Sequence, residues 1–306
     1  MQKLILLGIF GLFAQLVDGA LGMAYGATSS SLVLAVGLNP AIASASVHMA
    51  EIGTTIASGT SHWRFGNIDW RTVRRIGIPG ALGAFLGAVV LSSISAEVAK
   101  PWMAAILLAI GLYIIVRFTF GRVRKPKGRS YVRGRYLAPL GLGAGFIDAT
   151  GGGGWGPVTT PTLLATGRME PRKVIGSVDT SEFLVALAAS IGFLLALGSQ
   201  GIAWSVVAAL LVGGLIAAPL AAWLVQFVTA ELLGAAVGGL IVITNARSIF
   251  QVSEVSGDLR LLFYAAIATG WALSLAFVVV RHRREGRPLT TRASPRPEPA
   301  TDTALG

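Results

Sequence analysis

Apolar residues run along this chain in blocks of roughly 20, separated by short polar or basic stretches. A helix of that length crosses a hydrocarbon core of about 30 Å. The pattern predicts full spans over 41–60, 76–94, 100–118, 172–197, 203–225, 231–250 and 259–281. Two other apolar stretches are interrupted. Residues 4–17 and 26–38 flank a break that opens at Asp18 and runs through Gly19, Gly22 and Gly26. Residues 136–147 and 157–167 flank a second, which opens at Asp148 and continues as Gly151-Gly152-Gly153-Gly154-Trp155-Gly156. Each glycine costs about 1 kcal/mol relative to alanine inside a helix, so this run is not ordinary helix. A broken helix at membrane depth exposes N–H and C=O groups, tolerated only where protein or a water-filled cavity satisfies them. Each break is therefore expected to line a cavity. Alternating ten-residue segments, the mark of a membrane β-barrel, are absent.

The two interrupted stretches begin an internal repeat. At an offset of 130, Asp18 meets Asp148, Gly22 meets Gly152, Tyr25 meets Trp155 and Gly26 meets Gly156. After a one-residue insertion Pro40 meets Pro171, Ser46 meets Ser177 and Glu51 meets Glu182, with His48 opposite Asp179. The expected organisation is a first membrane repeat over 1–120, a basic linker over 121–135, a second repeat over 136–283 and a disordered tail over 284–306. The apolar run of 4–17 after Lys3 also fits a signal peptide. Cleavage near Ala20, however, would remove half of an element that recurs intact in the second repeat.

Charge settles the expected topology. The net charge of +11 would suit a nucleic-acid binder, but the arginines and lysines sit in short loops beside apolar spans. That is the positive-inside pattern, and it argues against nucleic acid as a partner. The loops 62–75 and 117–135, the turn 168–173 and the tail from 281 share one side only if each broken element is a re-entrant hairpin. Seven spans plus two hairpins then place the N-terminus outside. Three spans lie between the hairpins, so the two repeats are inverted, a common transporter plan. The chain has no cysteine, which excludes disulfides, thiolate metal sites and cysteine nucleophiles.

The breaks carry the candidate chemistry. Half-helix N-termini near Gly26 and Gly156 offer N–H groups and a partial positive charge to an anion. Thr28, Ser29, Thr159 and Thr160 add hydroxyl donors just inside. The expected substrate-binding set is Gly22, Tyr25, Gly26, Thr28, Ser29, Ser46, Gly152, Gly153, Trp155, Gly156, Thr159, Thr160 and Ser177. The competing structural use is hydroxyls bonding back to their own helices. Asp18, Glu51, Asp148 and Glu182 are costly at membrane depth and are the proton-coupling candidates. Their competing use is to accept hydrogen bonds from N–H groups freed at the breaks. His48 and Asp179 rank below them. No metal site, cofactor or enzyme motif is present in the sequence: it has no His-Glu-x-x-His, no P-loop lysine and no nucleophile elbow.

Two halves, each with an Asp, a glycine break ending in an aromatic-Gly pair, a Ser/Thr run, a Pro-led helix and a Ser…Glu pair, resemble the TauE/SafE family of sulfite and organosulfonate exporters. Asp148 to Pro161, DATGGGGWGPVTTP, carries the resemblance most specifically, and it extends over about residues 4–280. The first copy departs from the second, with Leu21, Met23 and Ala24 where the second has glycines. The resemblance implies export of a small sulfur-containing or carboxylate anion across the cytoplasmic membrane. The resulting expectation is an all-α, multi-pass secondary transporter without a cofactor, driven by protons or membrane potential. Its partners would be a small anionic substrate and membrane lipids. Small-residue spans also permit a homo-oligomer. The other readings are a channel-like pathway, which would not saturate, and a membrane scaffold binding lipid or a protein through its basic loops.

Overall fold

The computed structural model describes residues 2–21, 23–121, 134–224, 229–252 and 256–286. Gly22, most of the basic linker and most of the tail expected to be disordered lie outside them. Among the described residues all regular structure is helical. The helices are α1 (Gln2–Leu21), α2 (Tyr25–Ala35), α3 (Pro40–Arg64), α4 (Trp70–Ser93), α5 (Ala96–Phe120) and α6 (Gly134–Gly151), then α7 (Trp155–Ala165), α8 (Pro171–Leu197), α9 (Trp204–Leu224), α10 (Ala230–Val252) and α11 (Gly257–Arg284). The expected all-α polytopic class is therefore the observed one.

Local chemistry sets the boundaries, and several differ from the apolar pattern. Asn39 caps α3, its side chain accepting from the Ala41 N–H at 2.9 Å, with Pro40 in the first turn where a missing N–H costs nothing. Asp69 caps α4 by accepting from the Thr72 N–H at 2.7 Å. That cap starts the helix at Trp70, so Arg71, Arg74 and Arg75 lie in its first turns and not in the expected loop. The breaks are also shorter than expected. Helix α1 runs past Asp18 to Leu21, and α6 runs past Asp148 to Gly151. The second break is only residues 152–154.

Among the described residues five helices are long and apolar enough to cross a membrane: α4, α5, α8, α11 and Ala230–Gln251 of α10. The other two expected spans are helical as well. The apolar part of α9 is Trp204–Ala217. In α3, which has 25 residues, His48, Glu51 and many Ser and Thr lower the hydropathy.

The repeats exchange their first helices. Helix α1 packs along α9, and α6 packs along α4. Under the sequence offset these are equivalent pairs: each repeat's opening helix lies on the fourth helix of the other. The third helices, α3 and α8, pack on each other, and so do the fifth, α5 and α10. Gly83 and Gly87 of α4 face α6, and Gly80 makes room for the Trp155 ring. Two buried clusters result. One joins α1, α2, α3, α5, α9 and α10 around Val33, Val47, Met103 and Leu107, and the other centres on Ile76, Trp155, Val178 and Phe193.

Candidate functional site

The two breaks meet. A methyl group on Gly26 would lie 2.9 Å from the Gly153 Cα, and one on Gly156 would lie 2.9 Å from the Met23 Cβ. A methyl on Gly153 would overlap the backbone of Gly26 and Ala27 outright. Only glycine permits this approach, and Gly153 also has a φ of 149°, which L side chains rarely adopt. The Ser30 hydroxyl closes the crossing by donating to the Gly152 carbonyl. Across the breaks, the aromatic of each copy is tied to a neighbouring helix. Trp155 Nε1 donates to the Val178 carbonyl at 3.1 Å, and the Tyr25 hydroxyl donates to the Leu210 carbonyl at 3.4 Å.

Each aspartate holds its own break. Asp148 Oδ1 accepts from the N–H groups of Gly154 at 2.6 Å and Trp155 at 2.9 Å. Asp18 Oδ1 accepts from the Tyr25 N–H at 3.2 Å, the equivalent bond in the first copy. Both carboxylates therefore stabilise half-helix N-termini by completing freed donors and facing the positive end of the helix. The first copy manages with one such bond and places Ala24 at a φ of 97°.

The other carboxylates stand differently. Both oxygens of Glu51 are buried without a hydrogen-bond partner, and Oε1 would lie 2.7 Å from a methyl on Gly26, against the crossing. Glu51 Oε2 is 4.0 Å from His48 Nε2. Glu182 lies close enough to Glu51, Asp18, Asp148 and Asp179 to interact electrostatically with each. Asp179 accepts from the Ser58 hydroxyl, 2.9 Å from either oxygen. The five carboxylates come from α1, α3, α6 and α8, and no lysine or arginine is buried among the described residues. The positive groups that could balance them are His48 and the helix N-termini.

The structure divides the hydroxyl candidates. Thr28 and Thr160 are fully buried, and their hydroxyls have no hydrogen-bond partner. Ser29 is buried as well, and its hydroxyl likewise has no hydrogen-bond partner. Thr159 bonds back to the Trp155 carbonyl at 2.5 Å and Ser46 to the Ile42 carbonyl at 2.7 Å. Ser177 accepts from the Asp69 N–H at 2.8 Å, so it braces the α3–α4 connection and not the crossing. Gly22 lies outside the described residues. Two residues were missed or underrated in the sequence. Asn245 of α10 is buried and donates to the Ser31 hydroxyl at 2.7 Å. His48 lies 3.0 Å from Asp148 Oδ2, across a hundred residues of chain. For Asn245 the available signal was a polar side chain inside an apolar span.

A cavity of about 310 Å³ opens beside the site between α3, α4 and α8, lined by Thr55, Gly59, Trp63, Trp70, Thr180 and Phe183. Its lining residue Thr55 donates to the Glu51 carbonyl at 2.6 Å, so the cavity begins one helical turn from Glu51.

A polytopic helical bundle in which two broken helices meet at a buried carboxylate cluster has the architecture of a membrane transporter. The comparisons agree. The family model for the sulfite exporter TauE/SafE matches residues 7–248, and the chain belongs to this family. It is 50% identical over 280 residues to the probable membrane transporter protein YtnM of Bacillus subtilis strain 168, covering 91% of this chain and 93% of the relative. It is 25% identical to the probable membrane transporter protein YjnA of the same organism, over 60% of this chain and 76% of that one. A probable membrane transporter protein of Haemophilus influenzae is 26% identical, over 71% and 82% of the two chains. No solved structure matches. The protein is a multi-pass membrane transporter.

Proposed function

We propose that this protein is a secondary transporter that exports a small anion, of the sulfite, organosulfonate or carboxylate class, across the cytoplasmic membrane with proton coupling. The observation that carries this reading is the unpartnered hydroxyls, Thr28 and Ser29 on one half-helix and Thr160 on the other, buried where the two meet at the crossing. Buried polar groups are almost always paired, so unpaired hydroxyls within the first two turns of both half-helices suit a ligand with several acceptor oxygens.

Charge supplies the coupling. An oxyanion entering beside Asp18, Glu51, Asp148, Asp179 and Glu182, with no buried lysine or arginine, meets strong repulsion. Protonation removes that repulsion and turns an acceptor-only carboxylate into a donor. Glu51 is the best placed for this, since its oxygens are unpartnered and reach the start of α2. Asp148 and Asp18 already hold the helix ends. The two repeats are inverted in this reading, with the hairpins α1–α2 and α6–α7 re-entering from opposite faces, the N-terminus outside and the basic segments in the cytoplasm. The cavity near Thr55 is then the cytoplasmic approach.

The test is uptake of labelled sulfite, taurine-like sulfonates and small carboxylates into inside-out vesicles, with and without a pH gradient. Saturable, gradient-dependent uptake is expected for at least one anion. Glu51→Gln is expected to keep the fold and lose the gradient dependence. Uptake that never saturates would support a channel. A correctly inserted wild type that moves none of these anions would overturn the proposal in favour of a membrane scaffold.

A further inference from the structure

We infer that His48 and Asp148 share one dissociable proton, and that passing it to Glu51 is the step that opens the crossing to its anion. The inference rests on the transport reading above for the anion but on hydrogen-bond geometry for the proton. His48 is fully buried. Its Nδ1 lies 2.8 Å from the Ser44 carbonyl, which can only accept. The Ser44 hydroxyl, 3.3 Å from Nδ1, has already committed its hydrogen to the Ala149 carbonyl at 2.7 Å. Both neighbours of Nδ1 are therefore acceptors there, and Nδ1 carries a hydrogen. That fixes the other nitrogen. Nε2 faces Asp148 Oδ2 at 3.0 Å, and a contact this short between a ring nitrogen and a carboxylate oxygen needs a hydrogen between them. The pair is either imidazolium with carboxylate or imidazole with carboxylic acid. In both forms it is neutral overall and holds one proton beyond a neutral His and an ionised Asp.

Asp148 Oδ1 is occupied by the N–H groups of Gly154 and Trp155, so Oδ2 is the side of the carboxylate that faces α3. Glu51 Oε2, 4.0 Å from Nε2 and without a hydrogen-bond partner, is placed to accept the proton. Transfer breaks the bond to hydrogen in the pair and forms O–H on Glu51. The pair goes from neutral to −1, and Glu51 from −1 to neutral. Glu51 is then a donor at the start of α2. His48 Nε2 and Asp148 Oδ2 now oppose lone pair to lone pair, and their contact must lengthen. One proton thus prepares the anion site and loosens α3 from the second break. Of the other titratable groups, Glu51 on α3 interacts with both members of the pair and Glu182 on α8 with Asp148, while Asp18 on α1 and Tyr25 on α2 interact with Glu51, and Asp179 on α8 with Glu182. Phe193 of α8 packs on the His48 ring at 6.1 Å and keeps that side apolar.

The test is nitrogen-15 spectroscopy of the full chain, histidine-labelled, in liposomes, with His48 assigned by comparison with H62Q and H282Q. The expected result is a proton shared at Nε2 at acid pH and lost on raising the pH, with Nδ1 protonated throughout. Asp148→Asn keeps an acceptor for Gly154 and Trp155 and is expected to abolish that titration. An Nε2 that shares no proton from about pH 5 to about pH 9, unchanged by D148N, would overturn the inference. Flux across the same pH range is the second readout. A wild type that moves an anion with a pH profile identical to that of D148N would overturn the coupling even if the shared proton is seen. A wild type that moves no anion sinks the transport reading and leaves the spectra to decide the proton.

Discussion

Gly153→Ala is expected to destroy the crossing of the two broken helices. The added methyl would sit within the backbone of Gly26 and Ala27, and no flexible side chain is there to move aside. The φ of 149° adds strain for any L residue. Overlap and strain both act on backbone at the centre of the molecule, so the expected loss exceeds about 4 kcal/mol, at the extreme of single substitutions. Thermal unfolding in detergent, followed by the monodisperse fraction after heating, measures it. The control is Gly143→Ala in α6, where a methyl meets nothing within 4 Å. Adding a methyl there should leave stability unchanged or raise it by up to about 1 kcal/mol. Equal behaviour of the two variants would mean that the breaks do not touch.

Asp148→Ala carries the second-largest expected effect. It strips acceptors from the Gly154 and Trp155 N–H groups and removes the partner of a buried histidine. Breaking a buried charged pair by deleting one partner costs about 3–5 kcal/mol. Asp148→Asn, which retains an acceptor for the helix end, should recover most of that stability without recovering proton-dependent flux. Asp18→Ala is expected to cost less than Asp148→Ala, because Asp18 holds one N–H at 3.2 Å where Asp148 holds two at 2.6 and 2.9 Å. The same unfolding experiment ranks the three variants. Asp18→Ala as damaging as Asp148→Ala would mean that the two breaks are held alike despite their different bond counts.

The class of the protein was legible because burial in lipid imposes a length on apolar blocks, and that length is one-dimensional. The match between the two halves of the sequence could be read for a similar reason: Asp18 and Asp148, then Glu51 and Glu182, keep order and spacing. The aspartates' capping role was among the readings considered, since a break frees N–H groups that something must accept. What the pattern could not show is three-dimensional. His48 ranked below the carboxylates because its partner is a hundred residues away and its Nδ1 partner is a backbone carbonyl. Ser46 and Ser177 looked like site residues because they occupy equivalent positions, yet one bonds to its own helix and the other to the Asp69 N–H. The length of the breaks was overestimated because glycine lowers helix propensity without forbidding helix. Gly151 stays helical at the end of α6, with Ile106 standing where a side chain would go.

The central claim is that the crossing of α1–α2 with α6–α7 binds the transported anion. The most direct measurement is flux through proteoliposomes by wild type and by Thr28→Val with Thr160→Val. Valine keeps the shape of threonine while removing a hydroxyl that has no partner in the protein, so the double variant should fold at least as stably as wild type. Loss of saturable anion flux in a fully folded double variant is the predicted result. Unchanged flux and unchanged saturation would contradict the account and place the anion's path elsewhere in the bundle.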